Sequence, residues 1–335
     1  MTTAIGLDDF QRERPRLTGI AFRMLGTLAD AEDAVQESYL RWHGLGEAER
    51  AGIVSPAAWL TRVVSRICLD LLGSARARRE RYVGEWLPEP VPVGPGGGMF
   101  AAAGASVALA DPLERVALDE SVSTALLVVL ESLTPAERVV FVLHEVFAVP
   151  FGEIAEVVGR SSDACRQLAT SARRHVREGR ATAAPAAQHD EVVRAFVAAA
   201  GGGDLAALLA LLDPSVELRS DGGGFVSAAR KPVVGALNVA RFLLGIAEKN
   251  PHAELAERVT ADGVVLTFAY GGVVAGVITL GVAAGAPSQP TASGAGIAGE
   301  PAAPGAGVVE APAASGPRIS EVWIMMNPEK LTLWR

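Results

Sequence analysis

The stretch LTPAERVVFVLHEVFAVPFGEIAEVVGRSSDACRQLATSARRHVREGR, residues 133–180, predicts a helix-turn-helix. Thr134 and Glu137 form a capping box, so a helix begins there, and apolar residues follow at helical spacing. A short second helix, about 151–158, ends at Gly159, because glycine accepts the left-handed conformation of a helix end. Ser161 then caps a third helix.

The third helix has an apolar and a polar face. We expect the inner face to contain Ala164, Cys165, Leu168, Ala172 and Val176. The outer face starts with polar residues suited to bases and continues with arginines suited to phosphates: Ser162, Asp163, Arg166, Gln167, Arg173, Arg174 and Arg177. This arrangement suits a helix lying in a DNA major groove. An ordinary α-hairpin with a solvated basic face is the alternative.

Charge is unevenly distributed along the chain. The 335 residues carry a net charge of −8, which argues against a general coat for nucleic acid. Residues 62–81 and 160–180 each hold six arginines against two acidic residues, which leaves +4 in each block. Two basic blocks on an acidic chain predict two separate DNA contacts.

The composition argues against several other classes of protein, namely redox, metal-binding, secreted and membrane proteins. Cys68 and Cys165 both fall at inward helix positions, which favours buried thiols over a redox pair. The five histidines show no metal-ligand spacing, so we expect no metal and no cofactor. Residues 1–11 contain no signal peptide, which predicts a cytoplasmic protein. The apolar stretch 264–284 favours a buried β-hairpin over a membrane span, because a Tyr-Gly-Gly turn divides it.

Residues 8–82 predict helices with two distinctive outer faces. Asp30 is expected to cap a helix through Trp42, whose exposed side holds the acidic and amide residues Glu32, Asp33, Gln36 and Glu37. This face either compensates the helix dipole or docks a basic partner. A second helix, 57–72, points Arg62, Arg66 and Asp70 outward and continues into Arg76, Arg78 and Arg79.

The sequence before residue 189 predicts helices alone, whereas the sequence from residue 189 onward predicts helices followed by strands. Short strands alternate apolar and polar residues, which predicts a curved antiparallel sheet in a small α+β cone with an internal pocket. Residues 285–317 are low-complexity Ala/Gly/Pro sequence, with little side chain to bury.

These features together resemble an extracytoplasmic-function (ECF) sigma factor of the sigma-70 family, in the group with a SnoaL-like, NTF2-like C-terminal domain. The resemblance implies two all-α domains and one α+β cone. It divides the chain into a region 2 domain (1–85), a linker with the motif Trp86-Leu-Pro-Glu-Pro90 (86–112), a region 4 helix-turn-helix domain (113–180) and a C-terminal domain (189–335). The segment 285–317 is then an insertion between the last two strands, tolerated because loop-closure entropy grows slowly with length.

The resemblance also implies what these surfaces bind. Region 2 would dock on the clamp coiled coil of core RNA polymerase through Asp30, Glu32, Asp33, Gln36 and Glu37. Region 4 would bind the polymerase flap and read the −35 element with the outer face of its third helix. The −10 element would be held by Arg62, Arg66, Asp70, Arg76, Arg78 and Arg79.

Three short motifs imply regulation by the C-terminal domain. They are Trp86-Leu87-Pro88-Glu89-Pro90 in the linker, Asp221-Gly222-Gly223-Gly224, and Asn327-Pro328-Glu329-Lys330 near the C-terminus. Members usually have Lys after the three glycines, where this chain has Phe225. We expect docking of the C-terminal domain on the linker to hold a compact state that binds polymerase poorly.

Three alternatives compete with this interpretation. The first alternative is an enzyme, because SnoaL-like cones include polyketide cyclases and Asp221 is the obvious candidate for a catalytic carboxylate. Against it, the sequence shows no acid/base pair at a spacing typical of catalysis. The cone is alternatively a sensor for a small apolar ligand. A repressor that uses the helix-turn-helix without polymerase is the third possibility, and the acidic face argues against it.

Overall fold

The computed structural model describes residues 7–79, 82–92, 123–179, 183–260, 262–285 and 316–334, with side chains left out at 7–9, 75–79 and 179. The linker beyond Pro92 and residues 286–315 of the expected insertion lie outside the described residues. Among the helices that the structure describes, none is both long and apolar enough to cross a membrane.

Residues 7–79 form a helical group. Its helices are α1 (Leu7–Leu25), α2 (Leu28–Gly44), α3 (Glu47–Ala51) and α4 (Pro56–Arg79). The expected cap of α2 was wrong: Thr27, not Asp30, is the capping residue, and its hydroxyl accepts from the backbone N–H of Asp30 at 3.3 Å. Asp30 lies in the first turn, where its carboxylate accepts from the Thr27 hydroxyl.

Residues 123–179 form a second helical group. It contains α5 (Thr124–Glu131), α6 (Pro135–Phe141), a π-helical turn (Val142–Val146), α7 (Phe151–Val158) and α8 (Ser162–Gly179). The Thr134–Glu137 capping box is present, and Gly159 ends α7 at φ +70°. The Ser161 hydroxyl accepts from the N–H of Ala164, as predicted. The helix-turn-helix prediction is therefore confirmed in its local geometry.

The C-terminal part folds as three helices and a mixed sheet among the described residues. Its elements are α9 (Ala186–Gly201), α10 (Leu205–Leu211), β1 (Leu212–Asp221), β2 (Val233–Val234), α11 (Ala236–Lys249), β3 (Glu254–Thr260), β4 (Gly263–Tyr270), β5 (Val273–Ala283), β6 (Arg318–Met325) and 3₁₀ turns Pro328–Lys330 and Thr332–Trp334. The strand order is β2-β1-β6-β5-β4-β3. The apolar stretch is the β4–β5 hairpin, as predicted.

The expected antiparallel sheet is found for four of the five described strand pairs, but the expectation was wrong for β1 and β6, which pair in parallel. Parallel neighbours end at the same edge of a sheet, so Asp221 at the end of β1 lies opposite Met325 at the end of β6. The chain that follows each strand therefore begins at one common edge. This pairing brings the Asp221-Gly-Gly-Gly224 and Asn327-Pro-Glu-Lys330 motifs together.

Among the residues that the structure describes, the buried side chains form three clusters. The first runs continuously through both helical groups, from Leu17 and Leu60 to Val139 and Ile154, so the two groups pack on each other. The second fills the inside of the cone between its helices and one sheet face. The third covers the other sheet face, where Trp323 and Val277 meet the linker residue Leu87 and the partly buried Val128 of α5. Both cysteines are free and buried, as expected.

Candidate functional site

The three predicted regulatory motifs meet around two buried charged groups, Asp221 and Lys330. The Lys330 ammonium lies 2.8 Å from one oxygen of Asp221 and donates to the Leu87 carbonyl at 2.6 Å. The same Asp221 oxygen accepts the backbone N–H of Leu87 at 3.0 Å. The C-terminal domain therefore holds both backbone groups of one linker residue. We call Asp221, Lys330, Tyr82 and Asn327 the linker anchor.

The other oxygen of Asp221 completes the linker anchor. It accepts from the Tyr82 hydroxyl at 2.6 Å and from the N–H of Gly223 at 2.9 Å. The Asn327 amide donates to the Tyr82 oxygen at 2.9 Å. Burial and the neighbouring carboxylate raise the pKa of Tyr82, so this hydroxyl stays protonated and serves as a donor.

The glycines of the second motif are explained by close packing. Gly223 has φ +65°, and a Cβ there would lie 2.4 Å from the Asn327 side chain. A Cβ on Gly222 would lie 2.2 Å from the Val226 carbonyl. In the third motif Pro328 opens a 3₁₀ turn, and the exposed Glu329 donates its backbone N–H to Asn327. Phe225, which replaces the usual Lys, is largely exposed.

The linker also packs against region 2. Trp86 lies so close to Gly26 that a Cβ on that glycine would be 2.5 Å from the indole ring. The Lys330 ammonium sits 4.0 Å from the centre of the Trp86 ring, within cation–π range. Trp334, near the C-terminus, donates its indole N–H to the carbonyl of the buried Pro90 at 2.7 Å. The linker is thus enclosed on two sides.

Glu89 joins the linker to the start of α2. Its carboxylate accepts the backbone N–H of Leu28 at 2.7 Å, and its own N–H donates to the Gly26 carbonyl at 2.8 Å. Burial raises the pKa of Glu89 to about 7, although the Leu28 N–H and Lys330 favour the charged form. Glu89 therefore helps to cap the helix that carries the acidic face.

A second contact of the C-terminal domain was not found from the sequence. Asp262, in the turn between β3 and β4, accepts from the N–H of Thr124 at 2.8 Å and from its hydroxyl at 2.7 Å. Thr124 is the first residue of α5. Burial raises the pKa of Asp262. The pairing joins residues far apart in sequence, and an Asp in a strand turn gives no local signal of it.

The acidic face of α2 is exposed, as predicted. Asp33 and Gln36 are exposed, and Glu32 and Glu37 form ion pairs with Arg14 at 3.6 Å and Arg41 at 2.9 Å. Such exposed pairs are weak and exchange readily for a stronger partner.

The predicted −10 residues Arg62 and Arg66 of α4 are about half exposed and also contact region 4. Arg62 forms an ion pair with Glu156 of α7 at 2.6 Å, and Arg66 donates to the Val157 carbonyl at 2.8 Å. Asp70 is exposed and lies 4.0 Å from Arg66. Arg76, Arg78 and Arg79 fall in the last turns of α4, outside the described side chains.

The predicted −35 face of α8 lies on the surface of the molecule. Asp163, Arg166, Gln167, Arg173, Arg174 and Arg177 are exposed and Ser162 is half-buried. Arg166 pairs with Asp163 on the same helix, and Arg173 pairs with Glu145 at 2.9 Å. A groove of about 400 Å³ runs along this face between Arg166, Gln167, Thr170, Ser171 and Arg174.

Both oxygens of Asp221, the candidate catalytic carboxylate, accept hydrogen bonds within the protein. Asp221 is completely buried and accepts from Lys330, Tyr82, Leu87 and Gly223, so it holds the linker rather than facing an open pocket. Buried apolar side chains such as Phe196 fill the described interior of the cone. A small apolar ligand inside the cone stays a prediction.

Comparison with known proteins agrees with this geometry. The Sigma-70 region 2 family matches residues 10–78, and the Sigma-70 region 4 family matches residues 123–176. The ECF RNA polymerase sigma factor SigJ of Mycobacterium tuberculosis is 44% identical over 245 residues, 72% of this chain and 73% of SigJ. The probable ECF sigma factor SigI of the same species is 41% identical over 279 residues, 82% of this chain and 88% of SigI.

A solved structure extends the similarity to the whole chain. The crystal structure of M. tuberculosis SigJ superposes with a TM-score of 0.64 at 33% identity, over 98% of this chain and 99% of the other. The chain therefore belongs to the ECF sigma factors of bacterial RNA polymerase. It is an alternative sigma factor, which binds core polymerase and promoter DNA to direct transcription initiation.

Proposed function

We propose that the surfaces described above divide the work of promoter recognition. The acidic face of α2 docks on the clamp coiled coil of core polymerase, and residues 113–180 bind the flap. Arg62, Arg66 and Asp70 of α4, continued by Arg76, Arg78 and Arg79, hold the −10 element. The outer face of α8 enters the major groove of the −35 element, where arginine and glutamine pair with base edges.

The C-terminal domain, residues 189–335, is the regulator in this proposal, and the linker anchor is the observation that carries it. A buried ion pair is costly to desolvate and gains most from complete hydrogen bonding. Here Asp221 and Lys330 direct their bonds at Leu87, a residue outside the domain. These buried charges therefore complete their hydrogen bonds only when the linker is docked on the cone.

Docking at two places fixes the relative position of the DNA-binding domains. The linker anchor holds Leu87 of the linker, whose Glu89 binds the start of α2 in region 2, and Asp262 holds the first turn of α5 in region 4. A sigma factor must separate regions 2 and 4 to span the −10 and −35 elements. A cone bound to both therefore controls promoter binding.

Run-off transcription with purified core polymerase tests this proposal. The full chain is compared with a 1–188 fragment and with Lys330→Met, which leaves Asp221 buried without its cation. Removing one partner of a buried pair costs about 3–5 kcal/mol, enough to release the linker. Lys249→Met, at an exposed lysine on α11, is the matched control.

We expect the fragment and Lys330→Met to change promoter output strongly and in the same direction, and Lys249→Met to behave as wild type. Unchanged output from both altered proteins would remove the regulatory role of the cone. Failure of every form to bind core polymerase would remove the proposed polymerase-docking surface.

A further inference from the structure

The cone presents two exposed cations on the loop that contains its glycine motif. We call residues 222–231 the cone loop. Arg230 and Lys231 lie at its end, are exposed, and form no ion pair with another residue that the structure describes. Arg219, on the strand before the loop, is in contrast paired with Glu217 at 2.9 Å. The two cations of the cone loop are therefore available to an anionic partner.

An aromatic side chain is exposed on the same loop. Phe225 is 64% exposed, and Val226 beside it is 43% exposed. The backbone N–H groups of both residues donate to the Gly222 carbonyl, at 3.0 and 3.1 Å. The N–H of Ala229 donates to the hydroxyl of the buried Ser220 at 2.8 Å. These bonds hold the loop in a defined turn, with the Phe225 ring on the surface rather than in the core.

The cone loop lies next to the end of the predicted −10 helix. A Cβ on Gly224 would lie 3.6 Å from the Cβ of Val83. A Cβ on Gly84 would lie 4.0 Å from the Cα of Arg230. Gly84 follows Arg79, the last residue of α4, by five residues, which span at most about 18 Å. The exposed cations of the cone loop therefore lie near the end of α4.

The combined surface is positively charged. Residues 76–81 hold four arginines and Glu80, and the cone loop adds two cations. The sum is +3 when Glu85 and the exposed Glu329 of the neighbouring motif are counted as well. Cations beside an exposed aromatic ring are the combination that binds single-stranded nucleic acid, with phosphates on the cations and a base on the ring. The charge and the ring together favour a nucleic-acid partner.

The linker anchor holds the cone loop in this place through bonds that do not involve region 4. Tyr82 donates to Asp221, the residue immediately before the loop, at 2.6 Å. The hydrogen bonds from Asp262 to Thr124 of region 4 lie on a different turn of the cone. Separation of region 4 at Asp262 therefore leaves intact the bonds that hold the loop beside α4.

We propose that the cone loop is a third DNA contact of this sigma factor, in addition to the −10 and −35 surfaces. Arg230 and Lys231 bind phosphates of the single-stranded promoter next to the −10 element, and Phe225 stacks on one of its unpaired bases. The proposal rests on the −10 role of α4 stated under the proposed function. It gives the cone a direct part in holding the melted promoter.

Removal of charge from the full-length protein tests the phosphate contacts. The loop variant combines Arg230→Gln with Lys231→Gln. The control variant combines Arg194→Gln with Lys249→Gln, which removes an exposed arginine and an exposed lysine from the helices of the cone. Affinity for core polymerase is measured for each protein, and thermal unfolding confirms that it is folded.

Each protein is then assembled with core polymerase and titrated with two single-stranded, non-template probes at several salt concentrations. The long probe carries the −10 element with flanking sequence on both sides, and the short probe carries the −10 element alone. On the long probe, we expect the loop variant to reduce the slope of log affinity against log salt by about 1.4, since each phosphate contact on a single strand contributes about 0.7. The control variant should keep the wild-type slope.

On the short probe both variants should match wild type, because the strand ends before it reaches the cone loop. Equal slopes for the two variants on the long probe overturn the phosphate contacts. A loss of affinity for core polymerase that is confined to the loop variant also overturns the proposal, because the cations would then bind a protein surface.

Phe225→Ala tests the stacking contact, with Val226→Ala as the control at the neighbouring exposed position. We expect Phe225→Ala to bind the long probe about tenfold more weakly than wild type, in the range of one stacked base. Val226→Ala should stay within about twofold of wild type. An equal loss for the two alanine variants would show that the ring makes no specific contact with a base.

Arg62→Ala separates failure of the cone-loop contact from failure of the −10 role. It is assayed as holoenzyme on the short probe, which reaches α4 and not the cone loop. Weaker binding there, together with an unchanged slope for the loop variant on the long probe, overturns the cone-loop contact and leaves the −10 role standing. Unchanged binding of Arg62→Ala overturns the −10 role and, with it, the contact that rests on it.

Discussion

At the scale of single residues, the close approach of Gly26 and Trp86 limits what the sequence tolerates. Gly26 has φ +81°, a conformation that costs other residues roughly 1–2 kcal/mol. It also leaves no room for a Cβ beside the indole ring. The same indole ring lies over the Lys330 ammonium. A side chain at position 26 that displaced Trp86 would therefore also disturb the linker anchor.

We expect Gly26→Ala to lower the thermal unfolding midpoint of the full chain, with a loss of about 2–4 kcal/mol from backbone strain and displaced packing. Gly73→Ala is the control, because Gly73 lies in α4 with open space around its Cα. Alanine there should stabilise the helix by up to about 1 kcal/mol. Equal midpoints for the two variants would contradict the packing argument.

Two arginines of α8 are expected to differ in what they contribute to −35 binding. Arg166 lies among the polar residues near the start of the helix, and Arg173 lies two turns later, where it pairs with Glu145. Base contacts carry sequence information and phosphate contacts do not. Arg166→Ala should therefore weaken binding mainly to the correct −35 sequence, by about 1–3 kcal/mol.

Arg173→Ala should weaken binding to all sequences alike. Fluorescence anisotropy with specific and scrambled −35 duplexes at fixed salt measures both effects. Equal losses on the two duplexes for both variants would refute this division of roles.

At the scale of elements, the local sequence was sufficient to predict the helix-turn-helix. Thr134, Glu137, Gly159 and Ser161 act through neighbours within a few residues, and such signals are readable from the chain alone. The departure of the α6 helix into a π-helical turn after Phe141 was not predicted. It accompanies the positive φ of Ala148, a residue that carries no signal for that conformation.

Contacts between distant residues could not be predicted in this way. Strand alternation indicates which faces are buried but not whether two strands run parallel, so the β1–β6 pairing was missed. Tyr82, Asp262 and Glu156 have ordinary local surroundings, and only the fold brings them to their partners. The three regulatory motifs were found by family resemblance, since neither spacing nor composition relates them.

One such contact predicts a change in the stability of a single helix. Asp262→Ala removes the acceptor for the N–H and hydroxyl of Thr124, so the start of α5 should fray. Ser123 still caps this helix, and loss of the second acceptor at its start costs about 1 kcal/mol, or roughly fivefold in local opening. Amide hydrogen exchange of residues 124–131 should accelerate by this factor in the full chain.

Asp204→Ala is the matched control, because Asp204 caps α10 within its own domain by accepting from Ala207. It should accelerate exchange in α10 and leave α5 unchanged. If α5 exchanges at the wild-type rate in Asp262→Ala, the C-terminal domain does not stabilise region 4 through this residue.

At the scale of the whole molecule, the linker is where all three parts of the chain meet. Leu87 is held by the cone, Glu89 by the start of α2, and Leu87 also packs in the cluster that includes Val128 of α5. A change in any one of these contacts therefore alters the others. Protonation is one such change, because Glu89 is buried in the docked linker and would be hydrated in a released one.

Glu89 should make linker docking dependent on pH. Burial raises its pKa from 4.5 to about 7, with Asp30 and Glu32 contributing in the same direction and Lys330 opposing. Docking therefore favours the protonated carboxyl, so the stability contributed by this group is fully present below about pH 4.5 and is lost as pH rises to about 7. The loss amounts to about 3 kcal/mol. Asp262 and Glu321 have raised pKa values and act with the same sign.

Glu89→Gln isolates the contribution of this carboxyl from those of Asp262 and Glu321, which both proteins share. The glutamine oxygen can still accept from Leu28, and the side chain has no charge to desolvate. Thermal unfolding midpoints measured from pH 5 to pH 8 should show Glu89→Gln more stable than wild type above pH 7. The difference should shrink towards zero by pH 5, because the wild-type carboxyl becomes protonated. A difference that stays constant with pH would mean that Glu89 does not titrate between these limits and that linker docking is insensitive to its charge.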